Sequence, residues 1–161
     1  MNLVSVNREN FNEVIELFSN KFYFLTTYPT LVSEEELKLF FLKNGITYLL
    51  ENDGKYVGLA HCVDFELGYV FLKFKLKSYK EKEKSKLFFK EVLRAMKRDI
   101  GNLVRLEMLT YEFEKEDMFF FESLGLNYES KREDDVLIDN KLGDIFIYSL
   151  IEEEINDILH L

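Results

Sequence analysis

The sequence predicts a mixed α/β fold, a single mixed sheet carrying helices on both faces. Three observations lead there. The hydrophobic period switches repeatedly between two and about 3.6 along the 161 residues, giving the order β-α-α-β-β-β-α-β-α-β-β and a terminal helix. Asn52-Asp53-Gly54 separates two apolar runs and signals a tight antiparallel hairpin. Residues 68–126 run as a strand, a long amphipathic helix, a second strand, a shorter helix and a glycine turn.

The bulk properties set limits. A chain of this length is expected to form one domain that buries its own core. No apolar run approaches the roughly 20 residues that span a bilayer, and the first residues lack the basic-then-apolar pattern of a signal peptide, so a cytoplasmic protein is expected. One cysteine excludes an intramolecular disulfide and a cysteine-based zinc site. With 21 Lys and Arg against 30 Asp and Glu, the formal charge of −9 disfavours nonspecific nucleic-acid binding and favours a cationic substrate such as an amine.

Each element has a local cause. Residues 3–6 form a short apolar strand. Asn7 is placed as the N-cap of a helix with Phe11, Val14, Ile15, Leu17 and Phe18 at helical spacing. Residues 23–31, with Thr26, Thr27 and the only proline, Pro29, read as a loop. Ser33-Glu34-Glu35-Glu36 fits a capping box opening a second helix, which carries Leu37, Phe40 and Phe41 and stops at Asn44-Gly45. Strands over 46–51 and 56–65 flank the hairpin turn. A further turn near Glu66-Leu67-Gly68 leads into a strand over 69–77. There Val70, Leu72, Phe74 and Leu76 alternate with Phe71, Lys73, Lys75 and Lys77, the pattern of a half-buried strand. Ser78-Tyr79-Lys80-Glu81 reads as another capping box, which starts the long helix near Tyr79 and turns Leu87, Phe88, Val92, Leu93, Ala95 and Met96 inward.

After a stop near 99–101 come a strand over 103–109 and a helix carrying Met118, Phe119, Phe121 and Leu124, ended by Gly125. Strands over 128–139 and 144–150 follow. Residues 151–161 form an amphipathic helix with Ile151, Ile155, Ile158 and Leu159 on one side, able to dock on its own subunit or to support a homodimer. His61 and Cys62 are adjacent on a strand and face opposite ways, so they do not form a nucleophilic pair. Asp64 and Glu66, at a strand end, read first as a solvated hairpin end and otherwise as lining for an amine pocket.

The order of elements, over residues 1 to about 150, resembles that of the GNAT superfamily of N-acetyltransferases. Leu106-Glu107-Met108 is similar to the Leu-Glu-Val strand of members that acetylate protein N-termini. Phe121-Glu122-Ser123-Leu124-Gly125-Leu126 is similar to the family's Tyr-Glu-x-Leu-Gly-Phe segment. The resemblance implies acetyl-CoA between the strands over 69–77 and 103–109, its pantetheine arm on the backbone of Phe74, Lys75 and Leu76. Its pyrophosphate is expected at the start of the long helix, near Lys82, Lys84 and Ser85.

The family's phosphate turn, Gln or Arg, two residues, Gly, one residue, then Gly or Ala, falls on Lys80-Glu81-Lys82-Glu83-Lys84-Ser85. Neither glycine is present, and Glu83 puts a carboxylate where an anion is expected. Lys75, Lys77, Lys80, Lys82, Lys84 and Lys86 offer side-chain charge instead, or else form a solvated, ion-paired helix end. Glu107 is the implied general base, or else a surface glutamate paired with Arg105 or a strand neighbour. The family's tyrosine acid is replaced by Phe121, which has no hydroxyl, leaving Tyr111 or water to protonate the thiolate; Tyr111, placed on the loop after the strand, reads first as an aromatic lying on the core. Glu114 and Asp117 stand where the family carries Asn and Ala.

The function so implied is metal-free acetyl transfer to a small-molecule or peptide amine by direct attack in a ternary complex, with no nucleic acid or membrane as partner. The alternative is a non-catalytic protein of the same fold with a degenerate acetyl-CoA site. A third reading has a different acyl-CoA or acyl-carrier donor.

Overall fold

The computed structural model describes residues 1–18, 33–43, 45–63, 66–138 and 141–160. In chain order the elements are β1 (Asn2–Ser5), α1 (Phe11–Phe18), α2 (Glu34–Lys43), β2 (Ile46–Asn52), β3 (Lys55–Val63), β4 (Tyr69–Leu76), α3 (Lys82–Ile100), β5 (Arg105–Tyr111), α4 (Lys115–Ser123), β6 (Asn127–Ile138), β7 (Lys141–Ile151) and α5 (Glu152–His160). The strands form one sheet in the order β1-β2-β3-β4-β5-β7-β6. Among the described residues β4 and β5 run parallel and the other neighbours are antiparallel. The mixed α/β architecture expected from the sequence is therefore the one observed.

Local signals explain several boundaries. Asp53 and Gly54 both have positive φ, 52° and 74°, as the tight turn between β2 and β3 demands. At α2, Ser33 Oγ accepts the Glu36 N–H at 3.2 Å, and the Glu36 carboxylate accepts the Ser33 N–H at 3.1 Å, closing the capping box. Asn7 behaves differently. Its Oδ1 accepts the N–H groups of Glu9 and Asn10, so it closes a turn ahead of α1, which begins at Phe11. The loop over 23–31, the stop residue Asn44 and Asp64 lie outside the described residues, as do the side chains of Leu37 and Phe40.

The sheet buries both faces. On one face, Val70, Leu72, Phe74, Leu106, Met108 and Leu150 meet Phe88, Phe89, Val92, Leu93 and Met96 of α3, Phe120 and Phe121 of α4, and Ile155 of α5. On the other, Leu49 and Leu59 meet Phe11, Val14 and Leu17 of α1 and Phe41 of α2.

Two helix faces differ from the sequence expectation. In α3 the buried stripe passes through Ser85, Phe89, Val92 and Met96, and Leu87 is left exposed. In α4, Asp117, Phe120 and Phe121 share the buried face at spacings of three and four, which turns Phe119 to solvent. β7 starts at Lys141, ahead of the expected strand, because Val136 pairs with Gly143 after register shifts in β6. α5 docks on its own chain: Ile155 is fully buried, Ile158 and Leu159 pack on the same core, and Lys97 of α3 bonds Asn156. Ile151 remains in β7, half-exposed, and is not part of that helix.

Candidate functional site

The parallel pair positions the site. β4 and β5 are paired from Tyr69 and Arg105 to Leu72 and Met108, and the ladder ends there, although β4 continues to Leu76 and β5 to Tyr111. Lys77 donates its N–H to Val57 of the neighbouring chain segment on the β3 side. By strand alternation Lys75 and Lys73 also turn their backbone groups toward β3, while Phe74 and Leu76 turn theirs toward the opening beside β5. Of the three residues expected to hold a pantetheine arm, Phe74 and Leu76 thus present backbone groups to the opening, and Lys75 presents its side chain.

The start of α3 lies at the end of β4. The helix begins at Lys82, with Glu81 at the N-cap position and no side chain capping it; the expected Ser78–Glu81 box does not form. Ser78 Oγ instead accepts the Lys80 N–H at 3.3 Å. The first intrahelical bond here runs from Ser85 N–H to the Glu81 carbonyl at 2.9 Å, so the N–H groups of Lys82, Glu83 and Lys84 have no acceptor within the helix. Beside them opens a cavity of about 250 Å³, lined by Asn52, Val57, Leu76, Lys77, Ser78, Lys80, Glu81, Lys84, Ser85 and Phe88. Ser85 is buried, and its Oγ donates to the Glu81 carbonyl. Glu83 is turned away: its side chain is 91% exposed and lies 3.8 Å from Lys86. Lys84 lies 3.2 Å from Glu81. Lysines in the first turn oppose the positive end of the helix dipole, an arrangement that a bound anion relieves.

Glu107 projects from the middle of β5 on the face away from Leu106 and Met108, as alternation requires, and is opposite Phe71 of β4. Its side chain is 38% exposed and accepts from Arg105 Nε at 3.1 Å; the same guanidinium donates to Glu129 at 3.1 Å. With Tyr69, Val70, Phe71 and Arg105 it lines a second cavity of about 200 Å³. Glu66 is exposed.

Tyr111 ends β5 and belongs to no loop. It is buried with Leu109, Val136 and Ile145, stacks on Phe113 at 5.5 Å, and carries the Lys73 ammonium 4.5 Å over its ring. Burial holds its phenol well above the ordinary value. His61 and Cys62 are buried on opposite faces of β3. Burial lowers His61 to about 3 and raises the Cys62 thiol to about 12, so neither is charged near neutrality.

Solved structures similar over nearly the whole chain include a mutant spermidine N-acetyltransferase from Vibrio cholerae, with TM-score 0.75 and 12% identity over 96% of this chain and 97% of that one. The ribosomal-protein-alanine N-acetyltransferase of Escherichia coli aligns with TM-score 0.71 and 14% identity, covering 93% of this chain and 92% of that one. A probable acetyltransferase from Staphylococcus epidermidis gives 0.73 and 15%, covering 94% and 98%. The chain has the GNAT fold. No family model matches its sequence, and no curated protein matches it.

Within the GNAT fold, this chain places a buried ionic group at the parting strands. Glu114 and Asp117, at the start of α4, face inward; their side chains are 1% and 3% exposed. Lys75 Nζ bonds Asp117 and donates to Glu114 at 3.3 Å, while Lys73 Nζ lies 3.8 Å from Glu114. Glu114 also accepts from the Thr110 hydroxyl and the Tyr111 N–H, each at 3.2 Å. Burial raises the Asp117 carboxyl, and the Lys75 ammonium opposes that shift.

Lys75 stems from the sheet face opposite Phe74, yet α4 stacks its Phe120 on Phe74 at 5.7 Å. The lysine therefore reaches α4 through the opening between the strands. Sequence reasoning noted Glu114 and Asp117 only as departures from a pattern and read Lys73 as facing solvent, whereas it is buried. The available signal was spacing: positions 114, 117 and 121 lie on one helical stripe with buried Phe121.

Proposed function

We propose that the chain transfers an acyl group, acetyl in the simplest case, from a CoA thioester to a primary amine. The observation that carries this reading is the opening beyond Leu72 and Met108, with backbone groups of Phe74 and Leu76 turned into it and the uncapped start of α3 at its end. These residues fit a thioester donor: an extended arm finds strand-like partners, and phosphates find free N–H groups beside Lys80, Lys82, Lys84 and Ser85.

The amine attacks the thioester carbonyl carbon, Glu107 takes its proton directly or through water, and the carbon–sulfur bond breaks as the tetrahedral intermediate collapses. The thiolate takes a proton from water, because the Tyr111 phenol is buried in the core and held above its ordinary value. Arg105 orients Glu107 by a fixed hydrogen bond. The net charge of −9 favours a cationic acceptor, a class that includes the polyamine named for the Vibrio cholerae protein.

The test is thiol release from acetyl-CoA with a panel of primary amines, spermidine and an N-terminal alanine peptide included. Glu107→Gln is expected to lower turnover by about 10²- to 10⁴-fold with unchanged acetyl-CoA affinity. Equal turnover removes Glu107 from the mechanism.

A second reading, a non-catalytic protein of this fold, is favoured by Phe121 at the acid position and by the ion pairs that cross the opening. Absence of both turnover and donor binding across the panel selects it.

A further inference from the structure

Tyr79 belongs to neither β4 nor α3, yet it is almost fully buried. Its ring packs against Phe120 at 4.7 Å, and its hydroxyl accepts the Leu76 N–H at 3.2 Å. That N–H is one of the backbone groups turned toward β5. The same hydroxyl lies beside the Asp117 carboxylate. The buried Asp117 carboxylate therefore has the Tyr79 hydroxyl beside it as a donor, while its Oδ2 bonds Lys75.

A secondary amide offers one carbonyl acceptor and one N–H donor. The Tyr79 hydroxyl meets Leu76 as an acceptor and faces Asp117 as a donor, the two roles an amide plays.

We propose that Tyr79 is an internal plug of the donor channel, its hydroxyl standing where an amide of a pantetheine arm binds Leu76 N–H and Asp117. The inference rests on the acyl-donor reading above and adds a residue that sets donor affinity. Binding requires Tyr79 to leave Leu76, and the N–H of the arm's amide then takes the hydroxyl's place beside Asp117. The plug acts on the donor's shared arm, so it discriminates against every pantetheine thioester alike and leaves amine selection to the Glu107 side of the sheet.

Calorimetric titration of the full chain with acetyl-CoA and with S-acetylpantetheine tests this, using wild type, Tyr79→Phe and Tyr79→Leu. Tyr79→Phe keeps the ring on Phe120 and removes only the hydroxyl. Both variants are expected to bind S-acetylpantetheine about tenfold more tightly than wild type, the worth of one hydrogen bond to a buried polar group. Faster hydrogen exchange at the Leu76 amide of unliganded Tyr79→Phe is expected alongside.

Equal or weaker binding by both variants overturns the plug while leaving the acyl-donor reading intact. If the variants bind S-acetylpantetheine but no protein binds acetyl-CoA, the plug stands and free CoA thioesters fail as donors. If no protein binds either compound, both are overturned.

Discussion

The starts of α3 and α4 are built from similar letters and do opposite things. Each follows one strand of the parallel pair, and each places a glutamate, Glu81 or Glu114, at the N-cap position with no side-chain cap. The next three residues are Lys82-Glu83-Lys84 in one case and Lys115-Glu116-Asp117 in the other. At α3 the side chains stand in solvent, the ion pairs are short-range and exposed, and the helix end lies open beside a cavity. At α4 the carboxylates turn inward and gather two lysines from β4. Position in the fold, not local sequence, decides which helix end stays open and which is already satisfied.

The sharpest break of that comparison is to remove the same residue type from both ends. Glu114→Ala leaves buried Lys73 without its carboxylate and strips partners from Thr110 and the Tyr111 N–H. A loss of about 3–5 kcal/mol in urea unfolding is expected. Glu81→Ala, with an exposed side chain, is expected to stay within about 0.5 kcal/mol. Equal effects would erase the distinction.

Acid gives a smaller separation. Because the folded-state carboxyl of Asp117 titrates above its ordinary value of 3.8, the folded protein holds that proton more tightly than the unfolded chain. This residue's contribution to stability therefore rises as pH falls through its folded pKa toward 3.8. Asp117→Asn removes that gain, so its stability is expected to drop more steeply than wild type over the same window; a parallel pair of curves contradicts the assignment.

The smallest effect belongs to α3. Lys84→Ala is expected to weaken acetyl-CoA binding by about two- to fivefold, with the loss shrinking at high salt, and to leave unfolding unchanged.

Much of the fold was legible because its signals are local. The Asn52-Asp53-Gly54 turn, the Ser33–Glu36 box and the Gly125 stop act through their own backbone geometry, and the alternation of Val70 to Leu76 fixes a buried face. The candidate site was legible only in part. Ser78 and Glu81 have the letters of a capping box, but the buried packing of Tyr79 against Phe120 holds the chain out of helix until Lys82. Lys73 and Lys75 read as solvent-facing, because alternation reports a face and not what lies across it. Their counter-charges come from about 40 residues later, Glu114 and Asp117, which only the parting of β4 and β5 brings within reach.

The acyl-donor reading stands or falls on one titration: thermal unfolding of the wild-type chain against increasing acetyl-CoA. A saturable rise in melting temperature is predicted, equivalent to about 2.7 kcal/mol when the ligand reaches one hundred times its dissociation constant. No shift at millimolar acetyl-CoA contradicts it and leaves the GNAT fold here as a scaffold for some other task.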